Sequence, residues 1–238
     1  MKSQLKIGAF LIMHNEVDAA IKTAKSYLDV YPNGDLRILG NLSEKHPEVG
    51  LALGLPTYSS VPYIGPLHEL EKLPRQTWSP VTAVDLVEIQ LQNILLGMSN
   101  VDSDFMLYLH PDHFLRKPIR SKNLPDLEMT LPNKYEDKHT KKMSEINPIL
   151  ASLKRYGIPG LMKVDSFFEC YDFFKANKEL FLRISSATEN LIAYDDYLLP
   201  ILYTLCGKRL DNHHLTRELL RRPTVRDYFA PLLHQVRN

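Results

Sequence analysis

Long apolar runs in this chain stop abruptly at polar groups, and the stops are as informative as the runs. Leu5 to Met13, LKIGAFLIM, is apolar almost throughout and ends at His14-Asn15-Glu16. A short apolar run bounded by polar residues predicts a strand buried on both faces. From Val17 to Tyr31 the apolar residues adopt helical spacing, at Ala20, Ile21, Ala24, Tyr27 and Leu28, and Asn15 is placed to cap that helix. Pro32-Asn33-Gly34-Asp35 is a turn, Leu36 to Leu39 a second strand, and Gly40-Asn41-Leu42-Ser43 its exit loop. Strand, helix and strand with polar strand ends predict the opening of a doubly wound α/β sheet.

The pattern continues less cleanly. Leu53 to Pro66 is rich in Pro, Gly, Ser and Tyr, and its apolar piece Ser60 to Ile64 is the expected third strand. Pro74 to Pro80 is a loop carrying the only tryptophan, Trp78. Val81 to Leu96 predicts a long helix, with Val84, Val87, Leu91, Ile94 and Leu95 on one side, Asp85 and Glu88 on the exposed side, and Gly97 and Asn100 at its end. Phe105 to Leu109 is a second unbroken run, expected to be a parallel central strand, and it stops at His110-Pro111-Asp112-His113. A helix feeding such a strand implies a right-handed crossover.

Beyond Ile119 the character changes. Arg120 to Asn147 is polar, charged and proline-bearing, and reads as an exposed excursion. Leu150 to Tyr156 predicts a short helix, and Tyr156-Gly157-Ile158-Pro159-Gly160 a tight turn where glycine lets backbone approach a ligand. Met162 to Phe174 starts with a short apolar piece and becomes helical near Ser166, and Lys178 to Ile184 continues in that style. Asp195-Asp196 precede an apolar helix, Tyr197 to Leu205, capped by Gly207. Asp211-Asn212-His213-His214 is a second polar cluster, and Leu215 to Asn238 reads as a basic, mostly helical tail broken at Pro223 and Pro231.

Composition narrows the classes. The 238 residues, 44% apolar and 24% charged, suit one globular domain or a domain with a lobe. A net charge of +1 argues against a nucleic-acid footprint. The late arginines Arg217, Arg221, Arg222, Arg226 and Arg237 fit a solvated helix face better than a phosphate-binding patch. Cys170 and Cys206 read as core thiols of a reducing compartment. Met1 to Lys6 is polar and the following run is too short for a signal peptide, while no run approaches the roughly 20 apolar residues of a membrane span. A cytoplasmic chain without a transmembrane segment is expected.

The chemistry belongs to the strand ends. Ligands of open α/β sheets bind beyond the carboxyl ends of the strands. The first two strands place His14, Asn15, Glu16, Asn41 and Ser43 there, alongside ordinary caps and turns as the plain alternative. At the end of the central strand, Asp112 and a flanking histidine have the oxygen and nitrogen donors a divalent cation takes. The same four residues also read as a polar surface loop.

A strand ending in Asn-Glu, a second strand with a polar exit, and a mid-chain apolar strand ending in an acidic triplet resemble the GT-A glycosyltransferases. The family's triplet is Asp-x-Asp; here it is His110-Pro111-Asp112. The stretch Pro111-Asp112-His113 followed by Lys117-Pro118-Ile119, with Trp78-Ser79-Pro80 upstream, is similar to plant peptidyl hydroxyproline arabinosyltransferases and peptidyl-serine galactosyltransferases over about forty residues. These have a membrane anchor, and none is expected from this sequence.

The resemblance implies a single GT-A-like, Rossmann-like domain with a mostly parallel sheet flanked by helices. Residues 1–119 would form the nucleotide-sugar half, and residues 120–238 the acceptor-side helical half with its basic tail. It implies a hexosyl- or pentosyltransferase using a UDP- or GDP-sugar and manganese or magnesium, with a glycan or glycoprotein as acceptor. Asp112 takes the place of the metal-binding acid and His110 that of the triplet's first acid. His213 or His214, and less closely His234, match a metal-binding histidine near the C-terminus. Asp195 and Asp196 match the acid beside the acceptor hydroxyl, one of them serving as general base in an inverting enzyme. Asn15, Glu16, Asn41 and Ser43 match the nucleotide pocket, although the usual aspartate after the second strand is missing and Glu44 is the nearest acid. From the residues themselves, Arg116 or Lys117 is placed to meet phosphate. Two other readings stay open. A nucleotidyltransferase should show a glycine-rich loop after the first strand, and IMHNEVD has none. A non-catalytic relative that binds glycan or protein tolerates the non-standard triplet.

Overall fold

The computed structural model describes residues 5–13, 16–40, 45–59, 77–119, 123–129, 137–153, 157, 159–211, 216–218 and 232–234. At its centre lies β1 (Ile7–Met13), paired in parallel with β2 (Leu36–Gly40) on one side and β4 (Phe105–Leu109) on the other. β3 (Thr57–Ser59) extends the parallel block beyond β2. On the other flank β7 (Pro159–Lys163) runs antiparallel to β4, then β6 (Leu127–Met129) runs antiparallel to β7, and β8 (Leu210–Asp211) closes the edge. The seven strands take the order β3-β2-β1-β4-β7-β6-β8. The sheet is mostly parallel, but β4 is parallel on one flank only.

Both faces are covered, which is why the central strands are apolar without a break. Side chains of a strand alternate between faces. Ala9, Leu11, Met13, Leu107 and Leu109 pack against α1 (Val17–Val30) through Ala20, Ala24 and Tyr27. Phe10, Met106 and Tyr108 face a larger core with α3 (Pro80–Met98), α5 (Val164–Ala176), α6 (Lys178–Ala187) and α7 (Asp195–Leu205). α2 (His46–Leu53) packs beside β2 and β3, and α4 (Asp137–Ile146) beside α6. Each large apolar side chain removed from water in this way stabilises by about 1.5–3 kcal/mol.

α3 starts as its sequence implies. The Ser79 side chain accepts the Thr82 N–H at 3.1 Å, and Pro80 occupies the first helical position. Gly97 lies inside the helix rather than after it. A Cβ there would come within 3.0 Å of both Leu39 and Phe10, so glycine lets the last turn lie on the sheet. Among the described helices α3 alone is long and apolar enough by composition to cross a membrane, and half of its most apolar window is buried inside this molecule, as core helices of the same composition also are.

Other expectations need correction. The third strand is Thr57–Ser59, and the predicted stretch 60–64 lies outside the described residues. Glu16 is the N-cap residue of α1 and makes no side-chain cap bond; Asn15 lies outside the described residues. Residues 120–147 are not simply an exposed excursion. They hold β6, all of whose residues are buried between β7 and β8, and α4. A three-residue strand has no length in which to show a period. The predicted helix after Asn147 is a short 3₁₀ turn, Pro148–Ser152, and Gly160 lies within β7 rather than in a turn. The two described pieces of the tail, β9 (Thr216–Glu218) and β10 (Leu232–His234), are strands, not helix. β10 pairs with both β9 and β5 (Phe114–Leu115), in a separate three-stranded sheet. Pairing with partners distant in sequence overrides local propensity here.

Candidate functional site

The turn after β4 is closed by two internal hydrogen bonds. The His113 N–H donates to the His110 carbonyl at 3.0 Å, and the His110 N–H donates to His113 Nδ1 at 2.7 Å. With Nδ1 accepting, hydrogen-bond geometry assigns the neutral ring's proton to Nε2. His113 is a buried structural element of the turn, only 2% exposed. His110 and Asp112 are half-buried.

Helix α1 backs this turn. The Thr23 hydroxyl lies 2.8 Å from the Pro111 carbonyl and 2.8 Å from the His113 carbonyl. Ser26 Oγ accepts the Leu115 N–H at 3.0 Å and donates to the Thr23 carbonyl at 2.7 Å. The Tyr31 hydroxyl accepts the Ile119 N–H at 2.8 Å. Between α1 and the turn is a hollow of about 310 Å³, whose wall includes Lys22, Lys25, Asp29, Pro111 and Asp112. Asp112 is thus one of the residues lining this hollow, together with two lysines.

On the opposite face of β4 a row of rings leads to the acid pair. Phe10 packs edge-on against Tyr108 at 5.1 Å between centroids, and tilted pairs follow, Tyr108 with His110 at 5.1 Å and His110 with His113 at 5.6 Å. Tyr108 and His110 are two apart on a strand and so share a face. The Tyr108 hydroxyl donates to Asp195 Oδ2 at 2.5 Å. Asp195 Oδ1 accepts the Asp196 N–H at 3.1 Å. Both oxygens of Asp195 are thus engaged, one by the central strand and one by the first turn of α7. A carboxylate at a helix N-terminus is favoured by the dipole. The Asp196 carbonyl accepts the Gly157 N–H at 3.1 Å.

The approach to α7 is braced. Gln90 of α3 donates to the Ala193 carbonyl at 2.9 Å. Asn190, in the left-handed region at φ 64°, donates to the Trp78 carbonyl at 2.7 Å and accepts the Ser185 hydroxyl at 2.9 Å. Asn tolerates that backbone better than most residues.

Tyr108 links two stretches that the sequence keeps 87 residues apart. It was hidden as one more aromatic in an apolar run, and its place two residues before His110 was the available signal. Asp195 is thereby brought onto the strand that carries the turn. Glu16 is exposed at the start of α1, and Arg116 and Lys117 are exposed just beyond β5. His14, Asn15, Asn41, Ser43, His213 and His214 lie outside the described residues, and His234 is placed by its backbone in β10.

No group of three His, Cys, Asp or Glu side chains suited to a metal ion is found among the described residues. Magnesium-type sites at phosphates commonly use one or two carboxylates, with water and phosphate oxygens supplying the rest. A half-buried carboxylate at the wall of a hollow fits that donor chemistry. His110 suits manganese better than magnesium.

No family model matches the sequence, and a search of the curated proteins finds no match. Solved structures do match. An active-site mutant of LgtC aligns over 97% of this chain and 88% of its own, at 14% identity and a TM-score of 0.50. The galactosyltransferase LgtC in complex with donor and acceptor sugar analogs aligns over 96% and 87%, at 16% identity and a TM-score of 0.48. The TarS protein of S. aureus in complex with UDP aligns over 87% of this chain and 57% of its own, at 9% identity and 0.43. The chain shares the GT-A-type fold, a mostly parallel sheet flanked by helices.

Proposed function

We propose that this chain is a glycosyltransferase that moves a sugar from a nucleotide-sugar donor to a hydroxyl of a glycan or protein acceptor. The observation that carries the reading is the link from Tyr108 to Asp195, which sets an acid pair beside the turn at the end of β4. The fold is shared with LgtC, and ligands of such sheets bind beyond the carboxyl ends of the strands, where β4 carries Asp112 on its α1 side and the acid pair on its other side.

The roles divide by partner. Asp195 is committed to Tyr108 and to the helix, so it orients the pair. Asp196 takes the acceptor's proton as the sugar's anomeric carbon leaves the diphosphate, a step usually worth about 100- to 10,000-fold. Asp112 would be the protein ligand for a manganese or magnesium ion, with His110 of the same turn as a second candidate ligand. Such an ion supplies charge stabilisation for the departing diphosphate. Arg116 and Lys117 add cationic charge near the phosphates.

The test is thermal unfolding with UDP- and GDP-sugars, each with and without manganese, followed by assay of donor hydrolysis. The expected result is a shift that needs nucleotide and metal together, equivalent to about 2.7 kcal/mol at a ligand concentration of 100 times Kd. Asp112→Ala should abolish the metal-dependent part. A shift without hydrolysis or transfer would point to the non-catalytic binder instead. No shift with any donor would remove the reading.

A further inference from the structure

We propose that Thr23 is the positioning residue of the 110–113 turn, with Ser26 and Tyr31 extending its hold along the segment that follows. The inference rests on the role given above to Asp112. Asp112 stands between two residues, Pro111 and His113, whose carbonyls both lie 2.8 Å from the one Thr23 hydroxyl. Fixing the backbone on either side of a residue fixes where its side chain starts. Thr23 is 2% exposed and Ser26 3% exposed, so neither hydroxyl is there for solvent.

The spacing explains why one helix can do this. Positions three apart on a helix are neighbours on one face. Thr23 therefore reaches the turn, and Ser26, one turn of helix further on, reaches the Leu115 amide at the end of β5. Tyr31, just past the helix, reaches the Ile119 amide with its longer side chain. The strand after the turn thus gives backbone hydrogen bonds to side-chain hydroxyls on its α1 side, while β10 pairs with it in the small sheet. Serine and threonine inside a helix more often bond back to their own backbone. Here Ser26 does so to Thr23, which also ties the two hydroxyl positions together.

The experiment compares Thr23→Val, Thr23→Ser and Ser26→Ala with the unaltered chain. Hydrogen exchange by NMR follows the amides of His113, Leu115 and Ile119, and calorimetry measures UDP binding with and without manganese. Thr23→Val keeps the volume and loses the hydroxyl. It is expected to speed exchange at His113 at least tenfold and to weaken manganese-dependent UDP binding at least tenfold, leaving metal-free UDP binding as it was. Thr23→Ser restores both. Ser26→Ala, the control if Thr23→Val fails to fold, speeds exchange at Leu115 and weakens the same binding by a smaller factor. A Thr23→Val protein that exchanges and binds like the unaltered chain overturns the proposal. Unaltered protein that binds no UDP with manganese overturns the transferase reading instead, and the exchange rates then decide alone whether Thr23 holds the turn.

Discussion

Tyr108 has two tasks that one atom separates. Its ring fills the core between Phe10 and His110, and its hydroxyl holds Asp195. Tyr108→Phe keeps the first task and removes the second. A hydrogen bond to a charged group is worth about 1.5–3 kcal/mol, so the freed carboxylate can turn away from the strand. On the proposed function, kcat should fall about tenfold or more with the donor KM unchanged, since about 1.4 kcal/mol is a factor of ten. A full kinetic comparison checks it, and a kcat within twofold of the unaltered value would rule the link out as functional. At this scale the sequence marks candidates but not their partners. Asp112, His110 and Asp195 stand out as polar groups ending or starting apolar runs, whereas a tyrosine inside such a run and a threonine on the buried side of a helix carry no polar signal.

The elements show the same division between near and far causes. The start of α3 was legible because its cap lies in the adjoining Ser79-Pro80. Its end was legible to within two residues, with Asn100 in the left-handed region at φ 55°, but the side chain that braces it comes from β2 and was not. Arg37, 8% exposed, donates to the Leu96 carbonyl at 3.5 Å, to the Asn100 carbonyl at 3.1 Å and to the Ser99 carbonyl, while its Nε meets Asp35 at 3.4 Å. The guanidinium thus meets one carbonyl of the last helical turn, Leu96, and two of the exit that follows it, Ser99 and Asn100. Arg37→Leu leaves those carbonyls and Asp35 without that donor in a mostly buried place. The expected cost is about 2–4 kcal/mol, read from the urea midpoint at constant slope. The strands β6 and β10, three residues each, were illegible for a related reason: their partners, not their patterns, make them strands.

Across the whole molecule, the edge of the sheet carries an acid-sensitive joint. Asp126, just before β6, accepts the Ser166 hydroxyl at 2.7 Å and the Arg209 N–H at 2.9 Å, joining α5 to the start of β8. Burial pushes its carboxyl up, but the Ser166 hydroxyl, the Arg209 N–H and the charges of Lys163 and Lys208 outweigh it, and the group titrates below the ordinary 3.8. A depressed carboxyl stabilises the fold fully above the unfolded value, and that stability is lost as pH falls through the folded one. Asp126→Asn should therefore lower stability near neutrality and flatten the acid limb of the stability curve below about pH 4. Urea titrations at a series of pH values check this; parallel acid limbs would show that Asp126 titrates normally. The overall architecture was the most legible feature, since apolar runs with polar ends announced the sheet. The antiparallel flank was not, because β7 reaches β4, and places β6 beyond it, only after the chain has passed through α4 and returned.

The small sheet has a bearing on biosynthesis. β10 joins β5, which directly follows the turn at residues 110–113, so the two strands come from opposite halves of the chain. A nascent polypeptide halted on the ribosome before residue 232 can already lay down β1, β2 and β4. It lacks the strand that fastens the far side of the 110–113 corner, so that corner acquires its final shape late, and shortened translation products would carry the scaffold without it.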